Sequence, residues 1–221
     1  MNFLKKYPKA ILFDYDGVIA NTPKYNYWAW KAAFKPEGVN ITPREYFLME
    51  GRGPRQIARM LCQVHGVDQL KHLELMERKE VIMSSIADQS SIYPGICELL
   101  HVLSRRGIQL ALVTGASKSR IKKSFPNEIS RLFASIITSD DVVRTKPDPE
   151  PYLKAASILE VRPEKSVVVE NAPLGIESAK KGGFSCIALT TTLEASDLEQ
   201  ADEVFNNHSM LYSFLLTRIM Q

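Results

Sequence analysis

Short apolar runs alternate with amphipathic stretches along most of this chain. The runs 10–13 (AILF), 109–113 (QLALV), 134–138 (ASIIT), 166–170 (SVVVE) and 185–189 (SCIAL) are brief, β-prone and bounded by polar or glycine residues. Each reads as a buried strand, and 202–205 (DEVF) is a weaker sixth. Between them lie helical patterns. Residues 95–107 end in basic residues and a glycine, 148–160 open on Asp, Pro and Glu, and 172–183 close on Lys and Gly. Strand alternating with helix predicts right-handed βαβ units and a parallel sheet covered on both faces.

The rhythm breaks between residues 23 and 90. No run there reads as a strand. Four helical patterns do, over 24–35, 43–49, 54–65 and 68–87, with Tyr25, Trp28 and Trp30 as core of this block. The expected organisation is an α/β core of residues 1–22 and 91–221 with a helical domain, 23–90, inserted after the first strand. The linkers fall near Asn21–Lys24 and Ala87–Tyr93, the second marked by the polar, Pro/Gly-bounded DQSSIYPG.

Composition narrows the class. The chain has 221 residues, is 45% hydrophobic and 24% charged, and carries a net charge of +3. That is ordinary for a globular protein and, being spread along the chain, gives no case for nucleic acid or a membrane surface. Three separated cysteines, without a CxxC pair, read as reduced thiols. With no apolar run long enough for a signal or a membrane span, the expected location is cytoplasmic. The scattered histidines make no metal set, and oligomeric state is not legible.

Chemistry gathers where the strands end, which is where open parallel sheets bind ligands. The first strand runs into Asp14 and Asp16, with Gly17 for a tight turn. The second runs into Thr114, Gly115, Ala116 and Ser117. The third leads to Lys146 in TKPDPEP, and the fourth ends in Glu170 and Asn171. Two acids, a hydroxyl, a lysine and an acid–amide pair suit phosphoryl transfer. One carboxylate can attack phosphorus and the other can move the proton. A hard cation such as Mg²⁺ can bridge the attacking carboxylate and the phosphoryl oxygens, with hydroxyl, backbone N–H and ammonium holding the rest.

FDYDGVIANT, VTGAS, TKPDPEPYLKAA and VVVENAPLGIESAKKGG, in this order, resemble the four motifs of the haloacid dehalogenase superfamily over Ile11 to about Leu189. Within it, TPKYNYWAW, ERKE and IYPGICELL are most similar to the group of β-phosphoglucomutase and related sugar-phosphate phosphatases. The resemblance implies a Rossmann-like sheet of order 3-2-1-4-5 with a helical cap. It implies Asp14 as nucleophile and Asp16 as general acid/base, with Thr114 and Lys146 holding phosphate. Asp14, the Asp16 carbonyl, Glu170 and Asn171 then form the Mg²⁺ site. Substrate would meet Gly17, Gly115, Ala116 and Ser117, with Arg52 or Arg55 from the cap. Otherwise Arg52, Arg55 and Lys79 read as a solvated charged face, Ser117 as a helix start, and Glu170–Asn171 as a cap for the helix after them. Thr22 marks the hinge.

Two positions depart from the family. Asn171 stands where an aspartate is usual, and Asn26 where the mutases carry a histidine. The expected function is therefore a Mg²⁺-dependent phosphatase of a small phosphorylated metabolite, acting through an aspartyl-phosphate. A β-phosphoglucomutase-like mutase and a non-catalytic phospho-ligand binder are the rival readings.

Overall fold

The computed structural model describes residues 8–86 and 91–219. Six strands form one parallel sheet: β1 (Ala10–Phe13), β2 (Gln109–Val113), β3 (Ser135–Ile137), β4 (Ser166–Glu170), β5 (Ser185–Leu189) and β6 (Glu203–Phe205). Their order is β3-β2-β1-β4-β5-β6. The expected 3-2-1-4-5 arrangement holds, and the weak candidate at 202–205 joins its open edge as β6, with Leu189 opposite Phe205. Phe13 pairs with Leu112 on one side and Val169 on the other, so these strands end at one level.

Every residue of β1 and β4 is buried, as helices on both faces require. Alternate side chains feed two cores. Ile11, Phe13, Leu112 and Val169 pack with Leu99 and Leu103 of α5 (Ile96–Arg105) and with Leu211 and Leu215 of α10 (His208–Ile219). Leu12, Val113 and Val168 pack on the other face with Tyr152 and Ala155 of α8 (Glu150–Ile158) and with Ile176 of α9 (Pro173–Lys181).

The break in the rhythm is α1 (Pro23–Phe34), α2 (Pro43–Phe47), α3 (Pro54–Val64) and α4 (His72–Ile86). Each of the first three opens on a proline, whose missing N–H costs nothing in a first turn. The 68–87 pattern divides, because the Asp68 side chain accepts from Leu70 N and sets a short 3-10 turn before α4. Trp30, Phe34, Tyr46, Ile57, Leu61 and Leu75 form a core of their own. Trp28 corrects the expectation: it is 58% exposed. Two residues along a helix is about 200° of rotation, so Trp28 and Trp30 cannot share a face. Helices α7 (Asn127–Ser130) and α10 carry too little apolar periodicity to be read from sequence, whereas α6 (Lys118–Ser124) begins where Ser117 reads as a helix start.

The two connections to the helical block run side by side. Asn21 N donates to Ser91 O at 2.8 Å and Tyr93 N to Ile19 O at 2.9 Å. Of the expected second linker, residues 87–90 lie outside the described residues. His208 stacks on Tyr93 with ring centroids 4.0 Å apart, and its Nε2 lies 2.8 Å from the Val18 carbonyl oxygen. Burial holds this imidazole below its usual value of 6.5, against the opposing pull of the Val18 carbonyl. The unfolded chain therefore takes up this proton first as pH falls. The stability is present above 6.5 and lost as pH drops through the lower folded value. The melting temperature is expected to fall between about pH 8 and about pH 5.5, and by less in His208→Gln, as calorimetry would show.

Candidate active site

Asp14 follows β1 directly, its N–H bonded to Val169 O at 3.0 Å. Its Oδ1 accepts from Lys146 Nζ at 2.6 Å. The same ammonium donates to Glu170 Oε1 at 2.7 Å and to Val113 O at 3.0 Å. β1, β2 and β4 thus supply three acceptors to one lysine that is 1% exposed. Burial lowers the lysine's proton affinity, but Asp14 and Glu170 outweigh it and raise it. Asp14 is pushed up to about 8, chiefly by burial; Lys146 pulls it down, while Glu170 and Asp16 add repulsion.

Glu170, expected as a metal ligand, has hydrogen bonds on both carboxylate oxygens. Oε1 takes Lys146 and the Tyr152 hydroxyl (2.7 Å), and Oε2 takes the N–H groups of Asn171 (2.9 Å) and Ala172 (3.2 Å). With two donors on each oxygen, it orients Lys146 and the turn into α9. Tyr152 gave no sequence signal beyond a helix-facing aromatic.

Asp16 is held by three groups. Arg120 engages it with both terminal nitrogens, Nη1 to Oδ2 at 3.1 Å and Nη2 to Oδ1; Thr22 Oγ1 and Asn26 Nδ2 (3.1 Å) also donate to Oδ1. Burial would raise this carboxyl, but the Arg120 guanidinium and its hydrogen bonds, with Thr22, hold it below the usual range. Arg120 escaped the sequence reading because it meets Asp16 across 104 positions. Ser117 is that helix's N-cap, accepting from Arg120 N at 3.3 Å, and it also lines the cleft.

Thr114 is buried, and its Oγ1 accepts from Ala116 N at 3.0 Å, which leaves its proton to donate. Gly17 turns at φ +83°, and a Cβ there would strike the Asn171 carboxamide. Gly115 is needed for space: a Cβ would stand 2.8 Å from Arg52 O and 2.9 Å from Gly51 O. The 51–52 turn of the helical block therefore closes onto the end of β2.

That block forms the other wall of the cleft, contributing Asn26, Tyr46, Glu50 and Arg52 to its lining. Arg52 lines it, half-buried, with its Nε buried and unpartnered. Arg55, the second residue of α3, is exposed and does not line it. Lys79 is corrected from solvated to buried: it is 3% exposed, 2.9 Å from Glu80 and 5.5 Å from the Trp30 ring centroid. Glu50, also missed, is 5% exposed and within 3.5 Å of Asn171 Nδ2. Its only signal was an acid closing an apolar stretch before Gly51.

The donors suit a hard cation. The Asp14 Oδ2, the Asp16 carbonyl and the Asn171 amide oxygen accept no hydrogen bond from the described residues. Among those residues no three His, Cys, Asp or Glu side chains gather into a cage. Mg²⁺ does not ask for one, since it keeps waters and substrate oxygens in its shell. No described helix is long and apolar enough to cross a membrane.

The sequence profile of the haloacid dehalogenase-like hydrolases matches residues 11–189. Validoxylamine A 7'-phosphate phosphatase of Streptomyces hygroscopicus subsp. limoneus is 33% identical over 200 residues, 88% of this chain and 91% of that protein. β-Phosphoglucomutase of Bacillus subtilis (strain 168) is 28% identical over 194 residues, 82% of this chain and 83% of that one. The crystal structure of β-phosphoglucomutase from Clostridium difficile superposes with a TM-score of 0.85 at 23% identity, covering 96% of this chain and 97% of that chain.

Proposed function

This chain belongs to the haloacid dehalogenase-like hydrolase family, and on that premise we propose that it is a Mg²⁺-dependent phosphatase of a small phosphorylated metabolite, a sugar phosphate or a close analogue. The observation that carries the reading is Asp14, at the end of β1, braced by Lys146 with one oxygen left open toward the cleft. Asp14 attacks phosphorus; the P–O ester bond breaks and the leaving oxygen takes a proton from Asp16. Water then attacks the aspartyl-phosphate and yields its proton to Asp16, releasing phosphate and restoring Asp14. Asp14, the Asp16 carbonyl and Asn171 would hold Mg²⁺, which would supply positive charge to the phosphoryl oxygens when bound. Thr114 and Lys146 hold the oxygens that gain charge. The unpartnered Arg52 Nε supports recognition of an anionic substrate from the helical side, residues 23–90 acting as cap. Asp16 in its Arg120-bound form is the proton acceptor of the second half-reaction; donation in the first requires Arg120 to withdraw.

Asn26, an amide hydrogen-bonded to Asp16, brings no titrating group to the hinge, and this favours hydrolysis over mutase chemistry. The 33% identical phosphatase supports the same choice. The three cysteines are unpaired thiols, in keeping with a cytoplasmic location. Phosphate release from a panel of phosphorylated metabolites with Mg²⁺ tests the proposal. Conversion of β-glucose 1-phosphate to the 6-phosphate, stimulated by a bisphosphate and without phosphate release, would transfer it to the mutases. Gly115→Ala pushes the 51–52 turn off β2. It is expected to lower kcat/KM about 100-fold with an unchanged melting temperature, read by steady-state kinetics beside a thermal melt.

A further inference from the structure

The cleft floor is over-supplied with negative charge. Asp14, Asp16, Glu50 and Glu170 converge there, and all but Asp16 are buried. Against them stand Lys146 and Arg120, already engaged by Asp14, Glu170 and Asp16, and Arg52, whose acidic neighbour is Glu177. Lys79 is matched by Glu80. Glu50 is the carboxylate left over. It is 5% exposed, its Oε1 is buried with no hydrogen-bond partner, and Asn171 Nδ2 reaches its Oε2 only at 3.5 Å, with the Thr192 hydroxyl as a further neutral neighbour. An unpaired acid in such a place costs free energy unless something positive meets it.

We propose that Glu50 belongs to the divalent-cation site of this protein, so that a carboxylate carried by the helical block supplies the negative charge that Asn171 cannot. The proposal rests on the Mg²⁺ reading above and deepens it. Asn171 is a neutral amide whose N–H₂ faces Glu50 and Thr192. An amide there lets Glu50 approach, where a second carboxylate would repel it. The charge has thus moved across the cleft, from the end of β4 to the turn after α2. A cation then binds tightly only when the block is apposed to the sheet, and by reciprocity the cation draws the block closed. A donor set completed by closure links metal loading to the protection of the site from water.

Calorimetric titration with Mg²⁺ and a parallel Mn²⁺ titration read by electron paramagnetic resonance test this, both without substrate. Glu50→Gln keeps the shape and removes the charge. It is expected to weaken Mg²⁺ and Mn²⁺ binding about 10- to 100-fold. Adding Asn171→Asp to Glu50→Gln is expected to restore affinity by returning the charge to β4. Should Glu50→Gln not fold, Glu50→Met gives the same loss. Hydrogen–deuterium exchange of residues 48–53 is expected to slow on Mg²⁺ addition in the wild type and stay unchanged in Glu50→Gln. Affinity within twofold of wild type in Glu50→Gln, or no effect of Mg²⁺ on exchange in the wild type, would overturn the assignment and leave the phosphatase reading standing. A wild-type protein that binds neither cation would overturn both, and needs no variant to show it.

Discussion

Asp14→Asn is expected to leave a folded protein whose turnover of p-nitrophenyl phosphate with Mg²⁺ falls on the order of 10⁴-fold or more. An amide is no nucleophile at phosphorus, and nothing else at the strand end can take its place. Asp16 is fastened by Arg120, Thr22 and Asn26, and Glu170 has both oxygens occupied. The fold should survive because the change relieves a strain in charge. Asp14 is buried, pushed up to about 8, and faces Glu170 and Asp16. Its replacement by a neutral isostere still leaves Lys146 paired with Glu170. The melting temperature is expected within a few degrees of wild type. Activity near wild type in a folded Asp14→Asn protein would remove Asp14 from the mechanism.

Lys146→Met is expected to be the most destabilising single change at the site, by about 3–5 kcal/mol in urea unfolding. The ammonium is enclosed by Asp14 Oδ1 at 2.6 Å, Glu170 Oε1 at 2.7 Å and the Val113 carbonyl oxygen at 3.0 Å. Methionine fills the volume and leaves two buried carboxylates facing each other. They would survive by taking up protons, so their folded-state values rise. Stability of the variant is then lost as pH rises through those values, and the deficit against wild type widens from about pH 5 to about pH 8. Adding Glu170→Gln removes one of the orphaned charges and is expected to recover part of the loss. A Lys146→Met protein as stable as wild type at both ends would mean that this lysine is not the charge that holds β1, β2 and β4 together.

Much of this site is legible along the chain because its anchors are local. A four-residue apolar run, AILF, brings Asp14 to the end of β1. Thr114 needs only β2 before it, and Glu170 only β4. What surrounds them is not local. Arg120 meets Asp16 across 104 positions and Glu50 meets Asn171 across 121. Lys79 looked solvated because charged helical residues usually are. It is buried because α4 presents it to Trp30 of α1 and to the cleft.

The amino-acid sequence by itself determined the parallel sheet, the helical insertion and the acids, hydroxyl and lysine at the strand ends. Strand period, glycine turns and proline starts act over a few residues and leave their mark in composition. The tertiary structure alone decided which charges face each other. It set Arg120 on Asp16 and Lys146 on Glu170, chose Arg52 over Arg55 for the cleft, and placed Glu50 beside Asn171 with one carboxylate oxygen unpartnered. The energy of a buried charge depends on what stands within a few ångströms of it, and that is fixed only when distant segments pack.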